Sequence, residues 1–312
     1  MKLKFYLYTL AAFTLTTTLL LFPANCLSLA LNGLNLWFER MIPTLFPFMV
    51  LSGIMIRMNL TGAFVKILNP ILGKLFRLSH SCIYCIVVGF LCGFPMGAHV
   101  ASQLYEEKQI SKPEASLLLA FCNNIGPIYF LSFVLPTLTI KKTIPFLFGM
   151  YGLPFLYGLF LRYKIYKNEV SPKMCQISPK STSVSLLQAL DESVFRSLYS
   201  IAKLGGYMIF FILLFILPSL ISKLLCFNHT LSNLFTGCMG CLLEITGGIG
   251  LLGNQAPFFV LCVLPFGGLS CIAQTFSMIK NTDLSIMEYG MHKMILSAIT
   301  VFYYLLSAKI LF

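Results

Sequence analysis

Long runs of apolar residues recur along the whole chain and constrain its fold more than any other feature. Several approach the roughly 20 residues that an α-helix needs to cross a bilayer. The runs lie at 5–22, 41–56, 83–91, 115–138, 144–161, 201–220, 258–271 and 295–310. Only 10% of the residues are charged, against about 25% in a soluble domain. Because no alternating ten-residue segments typical of membrane barrels occur, the sequence predicts an all-α polytopic membrane protein.

The start of the chain and the cysteines fit this prediction. The first run follows Lys2 and Lys4, as in a signal peptide, but no small-residue cleavage site follows it, so we predict a retained first helix. Most of the eleven cysteines lie in apolar runs, where a thiol behaves as a small hydrophobe. CxxC pairs at 82–85 and 238–241 lack a second pair at metal spacing. We therefore expect neither a metal site nor a cofactor.

A weak internal repeat predicts how the chain is organised. A shift of 174 residues aligns the stretch from Gly93 with the stretch from Gly267. Each copy has a glycine-rich break, a helix, a short polar loop and a second helix, and such weak repeats are common in transporters. The predicted units are a first transmembrane helix at 1–25, repeat 1 at 41–139, a helix with a basic cytoplasmic linker at 140–200, and repeat 2 at 201–312.

The distribution of basic residues predicts the relative orientation of the repeats. Cytoplasmic loops of membrane proteins collect Lys and Arg. If 82–105 crossed the membrane, the 22 basic residues would divide almost evenly between the two sides. If 82–105 and 257–278 are instead re-entrant hairpins, sixteen lie inside and six outside. The outer six are Arg40, Lys141, Lys142, Lys223, Lys280 and Lys293. The sequence thus predicts inverted repeats whose hairpins enter from opposite faces.

In this arrangement the chain has six full spans and two short segments. The spans are predicted at 5–23, 41–57, 114–139, 143–161, 201–222 and 289–309. The segments near 60–76 and 230–252 are expected at the interface or partly within the membrane. Within the basic linker, 186–194 is expected to form a short surface helix.

Four interruptions of apolar segments point to a binding site. An unsatisfied backbone group costs several kcal/mol in hydrocarbon, so a break persists only where protein, water or a ligand pairs it. The N-terminus of a half-helix attracts anions. A single kink usually reflects packing, but four breaks in two repeats favour a cradle for a small polar solute. The predicted site consists of Gly93, Pro95, Gly97, Asn123, Asn124, Gly126, Thr246, Gly247, Gly267, Gly268, Ser270 and Gln274.

Three ionisable residues lie in or beside apolar segments, where a charge is costly and often functional. His99 and Glu244 are candidates for ion or proton coupling. Alternatively, His99 is a neutral side chain bonded to a carbonyl, and Glu244 pairs the N–H groups freed at 247–248. Lys203 can extend to the membrane surface. No P-loop, Rossmann or nucleophile motif occurs, so we expect no enzyme and no ATP-driven pump.

The segments GFPMGA, LLAFCNNIGP, LLEITGGI and FGGLSCIAQTFSM resemble the sporulation integral membrane protein family of YlbJ type, which is built on nucleoside-recognition Gate domains. The resemblance implies a transporter that moves dipicolinate across the outer forespore membrane of a spore-forming bacterium. The kinship with Gate domains makes a nucleoside or nucleobase transporter the first alternative. A non-transporting scaffold for spore assembly is the second. The expected partners are the small-molecule substrate, the bilayer and a second copy in a homo-oligomer, and nucleic acid is not expected.

Overall fold

The computed structural model describes residues 2–170 and 185–311, and that part of the chain contains helices and no strand. The helices of 2–170 are α1 (Lys2–Leu21), α2 (Pro23–Asn35), α3 (Ile42–Arg57), α4 (Thr61–Phe64), α5 (Asn69–Phe76), α6 (His80–Cys92), α7 (Met96–Glu106), α8 (Lys112–Cys122), α9 (Pro127–Tyr129), α10 (Leu135–Thr137), α11 (Thr143–Leu147) and α12 (Leu153–Phe160). Those of 185–311 are α13 (Leu186–Leu213), α14 (Ile216–Leu224), α15 (His229–Leu243), α16 (Ile245–Leu252), α17 (Pro257–Val263), α18 (Gly268–Ile279) and α19 (Ile286–Leu311). Wider π-helical turns occupy Leu36–Met41, Phe130–Val134, Phe148–Gly152 and Leu161–Ile165. The predicted all-α fold is confirmed.

Several helices are long and apolar enough to cross a membrane, so the protein is a multi-pass membrane protein. In the described residues they are Lys4–Leu21, Pro23–Arg57, Lys112–Thr137, Thr143–Ile165, Leu186–Leu224 and Pro257–Ile279. Five of these contain or closely match predicted spans, and Pro257–Ile279 was predicted to be a hairpin instead. The sixth predicted span, 289–309, lies within the 26 residues of α19.

The hairpin predicted at 82–105 consists of α6 and α7. α6 begins after Ser79, whose side chain accepts a hydrogen bond from the backbone N of Cys82, and ends at Gly93 with a φ of 87°. α7 then runs back along α6, so that Sγ of Cys85 lies 3.7 Å from the carbonyl oxygen of Gly97. The chain therefore turns at the glycine-rich break and returns to the face from which it came.

The second hairpin lies at α15 and α16, and the prediction of a hairpin at 257–278 is wrong. Glu244 forms the turn between α15 and α16, and the two helices pack against each other along their length. α17 and α18 instead continue as one broken span. The glycines at 267–268 interrupt that span without reversing it, since Pro257–Ile279 is long and straight enough to cross a membrane as one span. α18 packs alongside α7, where Ser102 donates to the carbonyl oxygen of Met278.

Two ends of the molecule can be distinguished by their contacts. On the first, which we call the basic face, Lys112 pairs with Asp283 at 2.9 Å and Arg57 pairs with Glu192. Hydrogen bonds from Lys112 and then Tyr105 hold the pKa of Asp283 below its usual value. On the other, which we call the second face, Tyr303 at the far end of α19 donates to the carbonyl oxygen of Pro145 at 3.0 Å.

This placement corrects two predicted positions. Lys280 follows α18 and lies on the basic face, although it was predicted outside. α19 begins near Asp283 and runs to the second face, so Lys309 belongs to the opposite side from the one predicted. After this exchange sixteen basic residues are still predicted inside and five outside, because Lys293 is buried within the helices and belongs to neither side. The positive-inside rule therefore still predicts that the basic face is cytoplasmic.

The leading helices of the two halves run in opposite directions. A Cβ atom on Gly53 of α3 would lie 2.9 Å from Cβ of Ser193, and the indole of Trp37, before α3, donates to the carbonyl oxygen of Ile201 at 2.8 Å. The hairpins likewise open to opposite faces, which is consistent with the predicted inversion. However, the 174-residue shift aligns α7 with α18, which run parallel. The shift therefore matches two similar helix–loop–helix stretches on one face, not the two inverted halves.

The remaining segments are short or partly outside the described residues. The 60–76 segment contains α4 and α5, and α5 meets α6 at an angle of 105°. The 230–252 segment is the second hairpin. The stretch predicted as a surface helix at 186–194 forms the start of α13, whereas 171–184 of the linker lie outside the described residues. The proposed domain boundaries stay a prediction.

Candidate functional site

The tip of the first hairpin crosses the break in the span Lys112–Thr137. A Cβ atom on Gly93 would lie 2.3 Å from the backbone N of Gly126, and one on Gly97 would lie 2.5 Å from the carbonyl oxygen of Cys122. Any larger residue would force these backbones apart. Gly93 and Gly97 were predicted to contact the solute. In the structure they allow the backbone of the first hairpin to lie against the backbone at the break of the span Lys112–Thr137. Pro95, also predicted, is buried at the start of α7.

The second hairpin crosses the break between α17 and α18 in a similar way. A Cβ atom on Gly268 would lie 3.0 Å from the carbonyl oxygen of Cys241, at the end of α15. The negative end of one half-helix thus faces the positive end of another, an attractive arrangement of dipoles. A Cβ atom on Gly267 would lie 3.2 Å from the ring of Phe94. The first hairpin therefore reaches the second broken span.

Asn123 joins these elements by hydrogen bonds. Its amide nitrogen donates to the hydroxyls of Thr275 and Tyr289, both at 3.0 Å, and its Oδ1 accepts from the backbone N of Ala98 at 3.3 Å. Asn123 and Asn124 are fully buried, and Asn124 donates to the carbonyl oxygen of Phe121 at 2.6 Å. The two predicted asparagines thus satisfy backbone groups freed by the breaks and tie α8 to the second half.

Lys293 of α19 completes this network and is itself fully buried. Its Nζ donates to the carbonyl oxygen of Asn123 and, at 3.2 Å, to Oδ1 of Asn124. The ammonium also lies 5.0 Å from the ring centroid of Phe94 and 5.6 Å from that of Tyr289. Within residues 2–170 and 185–311, no ion pair includes Lys293. Among the described residues, the buried amine of Lys293 is thus surrounded by neutral oxygens and aromatic rings.

A cavity of about 520 Å³ lies beside the hairpin tips and is lined in part by Phe94. Its wall also includes four of the predicted residues, which are Gly126, Glu244, Thr246 and Gln274. Three of the four predicted breaks, at 93–97, 123–127 and 244–248, therefore contribute residues to one cavity. The fourth, at 267–270, does not line it directly. Arg40 and Glu39 line it as well, at the end of α3 nearer the second face.

Glu244 occupies the N-terminus of α16. Its carboxylate accepts hydrogen bonds from the hydroxyl of Thr246 at 2.6 Å and the backbone N of Gly247 at 2.7 Å. The backbone N of Gly248 donates to the main-chain carbonyl of Glu244 at 3.0 Å. The carboxylate thus pairs the freed N–H group of Gly247, as in the alternative reading of Glu244, whereas Gly248 makes a main-chain helix bond. Gly247 was predicted to bind the solute, but its backbone N–H already donates to Glu244 in this structure.

Polar groups with spare capacity also reach the cavity. Gln274 lines it and donates from Nε2 to Oγ of Ser270 at 2.9 Å, while Ser270 itself is fully buried behind it. The hydroxyl of Tyr129, a further lining residue, is buried and has no hydrogen-bond partner among the described residues. Gln274 and Tyr129 can both bind a polar ligand.

His99 and Lys203 lie elsewhere. Both line a different cavity near the basic face, so neither contacts the cavity formed by the hairpin tips. Sequence reasoning missed Lys293, Thr275 and Tyr289 in the buried network, and Arg40, Phe94 and Tyr129 in the cavity wall. Lys293 carried a signal, because it is an ionisable residue within the predicted span 289–309, and such a residue is a functional candidate. Thr275 and Tyr289 carried none, since their role depends on Asn123 reaching across the molecule.

These features define a multi-pass helical membrane protein with two hairpins and two broken spans around a central cavity. Residues 38–154 match the family model described as "Gate: Nucleoside recognition". The chain is 24% identical over 303 residues to the "Sporulation integral membrane protein YlbJ" of Bacillus subtilis (strain 168), covering 86% of this chain and 74% of that protein. The predicted resemblance is therefore confirmed. No solved structure matches the chain significantly.

Proposed function

We propose that this protein is a secondary or facilitative transporter of a small anionic metabolite, with dipicolinate as the favoured substrate. The observation that supports an anion most is Lys293. Removing an ammonium group from water is costly unless it is paired. Within the described residues Lys293 bonds to neutral oxygens and to no carboxylate, so a substrate anion would supply the counter-charge that its ammonium lacks.

The geometry supports access of such an anion from the central cavity. Phe94 separates that cavity from Lys293, since its ring lines the cavity and stands 5.0 Å from the ammonium. A rotation of this one side chain would bring the cation and the cavity together. The carboxylate of Glu244 opposes an anion less than its charge suggests, because Thr246 and Gly247 already donate to it.

The size and chemistry of the cavity suit a small planar dicarboxylate. Ligand cavities commonly measure about 300–1,000 Å³, and this one measures about 520 Å³. Arg40 could pair with one carboxylate, because its guanidinium offers two parallel donors. The amide of Gln274 and the hydroxyl of Tyr129 could bind the other or the ring nitrogen.

The choice of dipicolinate, and of the outer forespore membrane as location, depends on the resemblance. The relative's printed name connects that protein with sporulation, and dipicolinate is what the family resemblance implies as cargo. A nucleoside or nucleobase is the alternative, favoured by the description of the matching family model. In that case Gln274 and Tyr129 would contact the base, and no counter-charge would be needed.

Transport by the purified protein in sealed vesicles tests the proposal. Uptake of labelled dipicolinate and of labelled uridine is measured side by side, with empty vesicles as the control. We expect dipicolinate uptake above the control, and unlabelled dipicolinate but not uridine should compete. Uptake of uridine alone would favour the nucleoside alternative. Uptake of neither compound, by protein that elutes as a single species, would favour a scaffold.

A further inference from the structure

A second cavity lies near the basic face, and the proposed function does not use it. It measures about 290 Å³ and is lined by residues of α3, α7, α13 and α18. His99 and Gln103 of α7 line one side, and Ser193, Arg196 and Lys203 of α13 line the other. We call it the basic-face cavity.

The charges around this cavity are mainly positive. Arg196, Lys203 and Lys280 line it, and among the described residues of its wall Glu106 alone is acidic. Glu106 lies 3.8 Å from Arg196 in an exposed pair, so it offsets only part of the charge. The ammonium of Lys203 stands 3.9 Å from the ring centroid of Tyr199. No carboxylate lies within 4.0 Å of Lys203 in the described part of the chain.

Two buried polar atoms in the wall have no partner among the described residues. They are Oε1 of Gln103 and Oγ of Ser193, and their side chains are 7% and 2% exposed. A buried polar atom without a partner is costly, and both can take part in hydrogen bonds to a ligand. A flip of the side-chain amide exchanges its oxygen and nitrogen positions, so Gln103 can act as either a donor or an acceptor. These atoms indicate a site built to hold a polar molecule.

The basic-face cavity adjoins the central one. Lys203 lines the first and the next residue, Leu204, lines the second. On α18, Ser277 lines the first and Gln274, one turn earlier, lines the second. On α3, Met49 lines the basic-face cavity and Phe48 lines the central cavity. Three helices, α3, α13 and α18, therefore line both cavities.

We propose that the basic-face cavity is a second anion-binding site on the same route, and that it takes a small carboxylate before or after the central cavity does. Arg196 and Lys203 supply the charge, and Ser193 and Gln103 supply hydrogen bonds. This proposal rests on the proposed function, because the ligand is the transported anion. It assigns a role to the polar face of α13, which the central site leaves unexplained.

Binding of labelled dipicolinate to the full-length protein in nanodiscs tests this site directly. We expect two sites for the unaltered protein. The double variant Arg196→Gln/Lys203→Gln should keep the central site and lose the other, or bind there at least tenfold more weakly. Lys66→Gln is the control, since it removes an exposed basic residue that lines neither cavity. If the double variant is unstable, Lys280→Gln replaces it, and the same loss at one site is expected.

The outcomes separate this proposal from the proposed function. If the double variant and Lys66→Gln bind equally well at two sites, or if the unaltered protein has a single site that the double variant retains, the basic-face cavity is not an anion site. If the unaltered protein binds at two sites but vesicles containing it show no uptake, the transport proposal fails while the second site stands. Loss of both sites in the double variant would also contradict the assignment of separate sites.

Discussion

Nζ of Lys293 lies 3.2 Å from Oδ1 of Asn124 and also donates to the carbonyl oxygen of Asn123. A cation of the last helix is thereby held at the break of a span in the first half. The contact compensates two costs at once, because the broken helix exposes a carbonyl oxygen and the ammonium is removed from water. It also places the one fully buried cation of the described residues next to the hairpin tips.

Replacement of Asn124 by alanine should reduce both stability and transport. Lys293 would lose one acceptor, and the carbonyl oxygen of Phe121 would lose its donor. Leaving such groups unpaired costs about 1–3 kcal/mol, so we expect a lower melting temperature in detergent and slower uptake. Asn233→Ala is the control, because Asn233 is exposed. Equal uptake in both variants would indicate that the break matters only for packing, as in a scaffold.

Replacement of Gly93 by alanine should prevent normal packing of the hairpin. The new Cβ would lie 2.3 Å from the backbone N of Gly126, and the φ of 87° disfavours any side chain. We expect loss of the monodisperse peak in size-exclusion chromatography or a large fall in melting temperature. Gly206→Ala is the matched control, since in the described residues no side chain and no other helix lies within 4 Å of its Cβ position. It should be neutral or stabilising by up to about 1 kcal/mol. Similar behaviour of the two variants would contradict the crossing of the breaks.

The breaks could be predicted from sequence because their residues are costly in hydrocarbon wherever they pack. Asn123 and Asn124 and the glycines around Gly93 stand out in apolar runs for that reason alone. Which helices of the two halves correspond to each other could not be predicted in the same way. Ser111 and Ser285 both cap helices that start on the basic face, so similar local patterns suggested an equivalence that the chain directions exclude.

The site was predicted in part for a related reason. Sequence indicates which residues are unusual in a membrane, but it does not indicate which of them satisfy each other. Glu244 and Gly247 were both predicted, and the structure pairs them with one another. Lys293 was assigned to the outside because it lies near the start of the predicted span 289–309. In the structure α19 begins at Ile286 on the basic face, and Lys293 lies buried within the protein.

Replacement of Gln274 by leucine should impair transport while leaving the protein folded. Gln274 lines the central cavity, and its amide is the donor there that also holds Ser270. Leucine is of similar size and offers no hydrogen bond, so we expect weaker substrate binding by about 1–3 kcal/mol. Ser270 is fully buried, and its replacement by alanine adds no volume. Ser270→Ala should therefore reduce transport less than Gln274→Leu. Gln255→Leu changes an exposed residue and serves as control. Normal uptake by Gln274→Leu would exclude this wall from the site.

Labelling from each side of the membrane should place two loops together. Because Lys112 pairs with Asp283, cysteines at Lys108 and Lys280 are expected to react with an impermeant maleimide from the same side. A cysteine at Lys141 should react only from the other side. Cys226, which is exposed, and Cys175 of the basic linker are first replaced by serine in all variants. Labelling of Lys108→Cys and Lys280→Cys from opposite sides would contradict the arrangement of α7 and α18.

The most direct test of the account is dipicolinate uptake by vesicles that contain Lys293→Met. Methionine keeps the length and apolar contacts of the side chain but removes its charge. Thr300→Val is the control on the same helix, since Thr300 is buried and, among the described residues, its hydroxyl bonds to the carbonyl oxygen of Leu296 alone. We expect Lys293→Met to elute as a folded protein with at least tenfold slower uptake, and Thr300→Val to match the unaltered protein. Undiminished dipicolinate uptake by Lys293→Met would show that the buried ammonium is not the counter-charge.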